Sequence, residues 1–131
     1  MPKVYITKDF SFEAAHHLLG YDGPCSNVHG HSYKLSVTVS GNVDIPRSKD
    51  VVALDCMVMD FGELKRVVEK CIVHTHDHED LNLLYFNPTA EVMVQCMFQV
   101  IKENLPKNVT LERVALWETS SSYAECRRGD L

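Results

Sequence analysis

Three histidines and one cysteine, His16, Cys25, His29 and His31, lie within sixteen residues of one another. Three neutral imidazoles on a rigid scaffold are a common ligand set for catalytic zinc, which keeps a fourth position open for water or substrate. A nearby cysteine that the metal does not need is then available as a base or a nucleophile. The sequence therefore predicts that His16, His29 and His31 bind zinc, with Cys25 beside the ion.

The residues around the histidines alternate as they do in half-buried strands. Apolar and polar side chains take turns from His31 to Ser40, and the segment from Val4 to His16 has the same pattern. Residues two apart on a strand share a face, so antiparallel pairing of the two strands would bring all three imidazoles together. Ordinary core or surface histidines remain the alternative, although burying three imidazoles without a shared partner costs free energy.

A second polar cluster contains His74, His76, Asp77 and His78. It indicates either another metal site or a polar loop. A carboxylate beside a histidine can also serve as a proton relay, because the acid orients the ring. Since neighbouring side chains tend to diverge, pairing of Asp77 with His78 is not assured, and His78 with Cys25 is the more useful combination.

Glu118 ends an apolar segment directly after Trp117. One interpretation is an acid at a strand end that faces water. The other is a carboxylate at the floor of a pocket, where it accepts two hydrogen bonds from a ring N–H and the adjacent exocyclic amine. Pterin and guanine rings both present that pair of donors.

Composition predicts one domain spanning residues 1–131, with 45% hydrophobic residues. The net charge of −5 argues weakly against nucleic acid as the main partner. We expect no membrane span, no secretory leader and a cytoplasmic protein. The five cysteines form no CxxC pair, which favours reduced thiols over a disulfide framework.

The order of predicted elements is strand, strand, strand, helix, helix, strand, strand. This order indicates an α+β fold with two helices on one face of an antiparallel sheet, for which we expect four strands. Asp60 and the pair of Pro88 and Thr89 are the expected helix starts. The predicted strands cover residues 4–16, 31–40, 51–54 with 57–59, 109–117 and 122–126.

Six motifs of this chain resemble the 6-pyruvoyl-tetrahydropterin synthase superfamily, and they occur in that family's order over nearly the whole sequence. Within the superfamily the chain is most similar to the bacterial carboxy branch, because only three residues separate Cys25 from His29. A cysteine at this position also differs from the aldolase variants, which carry a glutamate there. The motifs are FSFEAAH, CSNVHGH, MDFGELK, DHEDLN, NPTAEV and WETSSS.

The resemblance implies a T-fold enzyme, a lyase that uses Zn²⁺. It implies conversion of 7,8-dihydroneopterin triphosphate to 6-carboxy-5,6,7,8-tetrahydropterin, with release of acetaldehyde and triphosphate, for queuosine and deazapurine biosynthesis. It also implies a homohexamer of two stacked trimers, with active sites between subunits. Of the residues already named, it implies that Cys25, Asp77, His78 and Glu118 are catalytic, with Glu118 and Thr89 holding the pterin.

Two other functions stay open: triphosphate elimination without carbon–carbon cleavage, which gives the pyruvoyl product, and zinc or pterin binding without catalysis. The chain also departs from the family. His17 stands where close relatives usually have arginine, and His76 replaces an apolar residue before the Asp–His pair. The segment 45–55 is longer than expected, and Cys56 stands where glycine is common.

Overall fold

Two long antiparallel strands, β1 (Lys3–His16) and β2 (His29–Asn42), form the centre of the sheet. The computed structural model describes residues 2–131. Every residue of β1 has a partner in β2, from Lys3 opposite Asn42 to His16 opposite His29. The predicted positions of both strands are confirmed, and β2 begins two residues earlier than the alternation indicated.

Three further strands complete the sheet: β3 (Glu79–Asp80), β4 (Thr110–Thr119) and β5 (Ser122–Arg127). The strand order is β3-β1-β2-β4-β5, and β3 runs parallel to β1 while the other neighbours are antiparallel. The α+β class is therefore confirmed. The expected four-stranded antiparallel sheet is wrong, because the sheet has five strands and is mixed.

The predicted strand at 51–59 is also wrong. This segment contains a short 3₁₀ turn, Ala53–Cys56, and its apolar side chains Val52 and Leu54 are exposed. Strand propensity reflects how well a side chain packs on a half-buried pleated surface, and here no sheet covers these residues. The strand that the prediction missed, β3, is only two residues long and carries no hydrophobic alternation.

The first helical run begins at Asp60, whose carboxylate accepts the Gly62 N–H at 2.8 Å. Helix α1 (Phe61–Val68) continues through a π-helical segment, Glu69–Val73, into the single turn α2 (His74–His76). The predicted helix start is confirmed. The π-helical turn is a deviation that helical periodicity does not reveal.

Helix α3 (Ala90–Asn104) begins at Thr89, whose hydroxyl oxygen accepts the Val92 N–H at 3.1 Å. This start was also predicted correctly. Together with α1, it covers the apolar face of the sheet. Within residues 2–131, no helix is both long and apolar enough to cross a membrane.

The core forms between the helices and one face of the sheet. On that face the rings of Phe12 and Tyr33 stack with their centroids 5.1 Å apart. Further along the same row, in the direction of the strand ends, the side chains become histidines. The largest fully buried members of the core are Tyr33, Leu35, Leu64, Ile72, Leu81, Met93, Met97, Ile101 and Leu116.

One histidine outside the ligand strands, His76, also lies in this core. It is 5% exposed and its ring lies 5.6 Å from that of Phe12. Its Nδ1–H donates to the Ile72 carbonyl at 2.7 Å, so its unprotonated Nε2 accepts the Tyr85 hydroxyl at 2.6 Å. Burial lowers the pKa of His76 below its ordinary value of 6.5, and the bond to Ile72 opposes only part of that effect.

We therefore expect His76 to make stability depend on pH. The folded state favours the neutral ring, so its contribution is complete above pH 6.5 and is lost as the pH falls below that value. Denaturant unfolding of the wild type should show a loss of up to about 1.4 kcal/mol per pH unit from this one group. The loss should be smaller in His76→Leu, whereas His74→Leu, at an exposed site, should keep the wild-type slope. Equal slopes in all three proteins would contradict the prediction.

Candidate metal centre and active site

The register of β1 with β2 brings the three predicted ligand histidines together. His16 lies directly opposite His29, and His31 lies opposite Ala14, two residues before His16. The Nε2 atoms of His16 and His29 are 3.0 Å apart, and those of His16 and His31 are 3.1 Å apart. All three rings thus converge on one point at the end of the core-facing row.

Backbone carbonyls fix the orientation of two of these rings. The Nδ1 atom of His16 lies 2.8 Å from the Pro88 oxygen, and that of His29 lies 2.7 Å from the Asn27 oxygen. A carbonyl oxygen only accepts hydrogen bonds, so Nδ1 of each neutral ring carries the proton. The two Nε2 atoms therefore face each other as lone pairs, an arrangement that is unfavourable unless a cation lies between them.

These features fit a zinc-type ion. With bonds of 2.0–2.1 Å in a tetrahedral site, ligand nitrogens lie about 3.3 Å apart, close to the observed spacing. A ligand histidine normally donates its other ring N–H to a carbonyl or a carboxylate, as His16 and His29 do. Among residues 2–131, His16, His29 and His31 form the one group of three or more possible ligands that converges in this way.

His31 is partly buried and has a carboxylate beside its ring. Its Nε2 lies 3.4 Å from Oε1 of Glu118. Burial lowers the pKa of His31, Glu118 acts in the opposite direction, and the neighbouring His16 and His29 lower it further. Without an ion the ring therefore favours its neutral form, which is the form that binds metals.

Strand alternation places Glu118 on the face of β4 that points to the histidines. It lies two residues after Leu116, which is buried in the core on that face. Glu118 thus lies on the histidine side of the sheet, whereas Lys34 covers the Trp117 ring on the other side at 4.3 Å. Of the two interpretations of Glu118, an acid that simply faces water at a strand end does not describe this geometry, because the carboxylate adjoins the His31 ring.

Cys25 lies in the loop that joins the two ligand strands, within a 3₁₀ turn, Pro24–Ser26. Its carbonyl accepts the Leu18 N–H at 2.8 Å, which ties the turn to the residue two positions after His16. The thiol is half-buried. The structure thus holds Cys25 at the end of the sheet that carries the three histidines.

Two asparagines that the analysis of the sequence did not single out hold the start of the same loop. The side chain of Asn82 bonds both the N–H and the carbonyl of His17, and Asn87 does the same for Leu19. Each amide side chain imitates a strand partner, since it supplies one donor and one acceptor. Both asparagines lie within the family motifs DHEDLN and NPTAEV, and these motifs were the sequence signal that could have identified them.

Thr89 lies directly after Pro88, whose carbonyl accepts the His16 ring N–H. Its hydroxyl oxygen is occupied by capping helix α3 through the Val92 N–H. The hydroxyl proton remains available for a ligand. The start of α3 therefore contacts a predicted ligand histidine and also contains the residue predicted to bind substrate.

Asp77 and His78 form a pair, although divergence of their side chains seemed the simpler expectation. Oδ2 of Asp77 lies 3.1 Å from Nδ1 of His78. The pair forms because His78 adopts a left-handed backbone conformation, with φ at 61°. The other oxygen of Asp77 accepts the Glu13 N–H at 2.9 Å, and this bond lowers the pKa of Asp77.

The Asp77–His78 pair lies at the outer edge of the sheet, beside a cleft of about 510 Å³. His78 and His31 of the triad both line this cleft, together with Glu13 and Ser32. The side chain of His78 is 79% exposed. Over residues 2–131, the structure records no hydrogen bond or ion pair between His78 and either Cys25 or the histidine triad.

The second predicted metal cluster does not assemble. His74 points outwards and lies 3.6 Å from Glu69, whereas His76 is buried in the core with Tyr85. The helical backbone separates their rings from the Asp77–His78 pair. His74 is an exposed polar residue, as the polar-loop interpretation expects. His76 is instead a core histidine.

Comparison with known sequences identifies similar proteins along almost the entire chain. The family described as 6-pyruvoyl tetrahydropterin synthase matches residues 5–129. A 6-carboxy-5,6,7,8-tetrahydropterin synthase of Haemophilus influenzae is 35% identical, covering 92% of this chain and 96% of its own. A dihydroneopterin monophosphate aldolase of Pyrococcus furiosus is 36% identical over 82% of this chain and 83% of its own.

Comparison with solved structures gives the same fold. The 6-pyruvoyl tetrahydropterin synthase of Caenorhabditis elegans superposes with a TM-score of 0.80 at 26% identity, covering 97% of this chain and 96% of that one. The T-fold is therefore the architecture of this protein. Relatives with similar identity carry different enzymatic names, so the reaction must be argued from the site.

We expect the triad to bind one divalent ion per chain. In a competition titration with a zinc chelator, His29→Ala should bind zinc more than about 100-fold more weakly, since loss of an outer-sphere partner alone costs about 10–100-fold. His74→Ala is the matched control, because it removes an exposed histidine outside the triad. Unchanged affinity in His29→Ala would contradict the assignment.

Proposed function

The chain belongs to the 6-pyruvoyl tetrahydropterin synthase family, and from that premise we propose that it is a zinc-dependent lyase acting on 7,8-dihydroneopterin triphosphate. The products, after uptake of one water, are 6-carboxy-5,6,7,8-tetrahydropterin, acetaldehyde and triphosphate. The observation that carries the proposal is the convergence of the His16, His29 and His31 rings beside Glu118. Relatives named for this product, at 32–36% identity in three bacteria, support it.

His16, His29 and His31 hold the zinc ion in this proposal. When bound, the ion supplies Lewis acidity to the oxygens of the substrate side chain. The protein's part is to keep the three rings neutral and oriented, through the Pro88 and Asn27 carbonyls. Because both carbonyls belong to the backbone, the ligand geometry is fixed before the substrate arrives.

Glu118 holds the pterin ring. Its two oxygens accept the ring N–H and the exocyclic amine, a pairing that a single carboxylate matches in geometry. Thr89 assists with the hydroxyl proton that its helix-capping role leaves free. These contacts fix the side chain of the substrate next to the triad, and orientation of this kind supplies a large share of enzymatic acceleration.

Cys25 is the base that removes and returns the protons on the side-chain carbons of the substrate. Its loop is tied to the residues after His16, which keeps the thiol near the ligand end of the sheet. A cysteine here also favours the synthase reaction over that of the aldolase variants, which resemble this family but carry a glutamate at this position. It further argues against a protein that only binds pterin or zinc, because binding alone has no need of a thiol.

Asp77 and His78 complete the proton relay from a second copy of the chain. They lie at the outer edge of the sheet, and their exposure leaves them available to a neighbour. The assembly we propose is a hexamer of two stacked trimers. Exposed apolar side chains near the site, such as Phe86 at 98% and Leu83 at 78%, are suited to burial in such an assembly.

Incubation with 7,8-dihydroneopterin triphosphate and mass spectrometry of the products tests this function. The wild type should release acetaldehyde together with 6-carboxy-5,6,7,8-tetrahydropterin. Cys25→Ala should keep its metal and fold yet lose about 10²–10⁴-fold in turnover, the usual contribution of a general base. Cys96→Ala, which removes an exposed thiol on helix α3, should leave turnover unchanged.

The same assay separates the alternatives. Triphosphate release without acetaldehyde would favour the 6-pyruvoyl reaction, in which the carbon chain stays intact. Pterin binding without any turnover would favour a binding protein. Full activity in Cys25→Ala would remove the thiol from the mechanism.

Mixed oligomers test whether the relay acts between copies. Cys25→Ala and His78→Ala chains with different tags are produced together, and complexes that carry both tags are purified. Each site then combines Cys25 of one chain with His78 of another, so random assembly restores about a quarter of the sites. Complexes built from Cys25→Ala chains alone, with both tags, are the control. Complete inactivity of the mixed complexes would place all groups of one site on one chain.

A further inference from the structure

His76 is a buried titratable side chain that the proposed reaction does not use. It ends the helical run that starts with α1, immediately before Asp77 and His78. Both of its ring nitrogens are satisfied, one by the Ile72 carbonyl and the other by the Tyr85 hydroxyl. A polar side chain bonded in this directional way is held at one place in the core, whereas an apolar residue of similar size could slide.

The backbone before His76 explains why such an anchor is useful. The segment Glu69–Val73 is π-helical, and insertions of this kind occur frequently at functional sites. The hydroxyl of Thr75 donates to the Ile72 carbonyl at 2.9 Å, next to the bond from His76. Two consecutive side chains therefore close the end of the helix around a single carbonyl oxygen.

The next two residues carry the relay pair, and they are clamped from the other side by the sheet. The Asp77 N–H donates to the Val73 carbonyl at 2.9 Å, which continues the helix end. Glu13 of β1 then bonds both residues: its N–H donates to the Asp77 carboxylate, and its carbonyl accepts the His78 N–H. The left-handed His78 can keep its conformation because both sides are fixed.

We propose that His76, through its hydrogen bond with Tyr85, is a positioning residue that sets the Asp77–His78 pair at the sheet edge. The inference rests on the proposed function for the role of that pair, but its structural part does not. Phe12 connects the anchor to the ligand end of the sheet, since its ring contacts those of His76 and Tyr33. His76 stands where the family pattern has an apolar residue. It holds the pair through hydrogen bonds that an apolar side chain could not form.

Two substitutions test the proposal in the full-length, metal-loaded protein. Tyr85→Phe removes only the hydroxyl group and is expected to fold, and His76→Leu removes the anchor itself. His74→Leu changes a histidine two residues earlier that points away from the core, and it serves as the control. The two variants of the anchor should share one effect, so that the double variant is no worse than His76→Leu.

Hydrogen–deuterium exchange tests, in the absence of substrate, whether His76 positions the Asp77–His78 pair. The peptides that contain His78 and Glu13 should exchange about 10-fold faster in Tyr85→Phe and in His76→Leu, since they carry the amides that clamp the pair. Peptides from helix α3 should be unchanged, as should every peptide of His74→Leu. Unchanged exchange at His78 and Glu13 in both anchor variants would overturn the proposal.

Steady-state kinetics tests whether this positioning affects turnover. The kcat of both anchor variants should fall about 10-fold with KM within about two-fold of the wild type, because misplaced relay groups affect the chemical step rather than binding. Wild-type kcat in variants with faster exchange would overturn the catalytic role. If the wild type itself shows no turnover, the proposed function fails, and exchange alone decides whether His76 holds the pair.

Discussion

The pairing register of β1 with β2 is the constraint on which the site depends. Fourteen consecutive residue pairs fix it, from Lys3 with Asn42 to His16 with His29. A slip by one residue would turn every side chain of one strand to the opposite face, so Phe12 would leave the core as His16 left its partners. The same burial of apolar side chains that stabilises the sheet therefore also fixes the distances between the imidazole nitrogens.

The alternation of residue types made this part of the structure predictable. Apolar residues at every second position of both strands specified which face His16, His29 and His31 would share, and the motif spacing agreed. Helix starts at Asp60 and Thr89 were equally visible, because a capping side chain is a local signal. These features depend on side chains near in sequence or on strict periodicity.

Other features depend on backbone groups or on tertiary covering, and sequence patterns do not display them. The segment 51–59 has the composition of a strand, yet residues 51–57 are exposed and the segment stays outside the sheet. The short strand β3 forms because Glu13 clamps Asp77 and His78, not because its own residues favour extension. The left-handed conformation of His78 likewise follows from its surroundings.

The hydrogen bond between the His16 ring and the Pro88 carbonyl joins the ligand set to the first residues of helix α3. An ion held by the triad, as proposed above, would bind this folded arrangement and not the unfolded chain. Ion binding and the docking of this helix would then be thermodynamically linked, and the concentration of free metal around the protein would set part of its lifetime against unfolding and proteolysis.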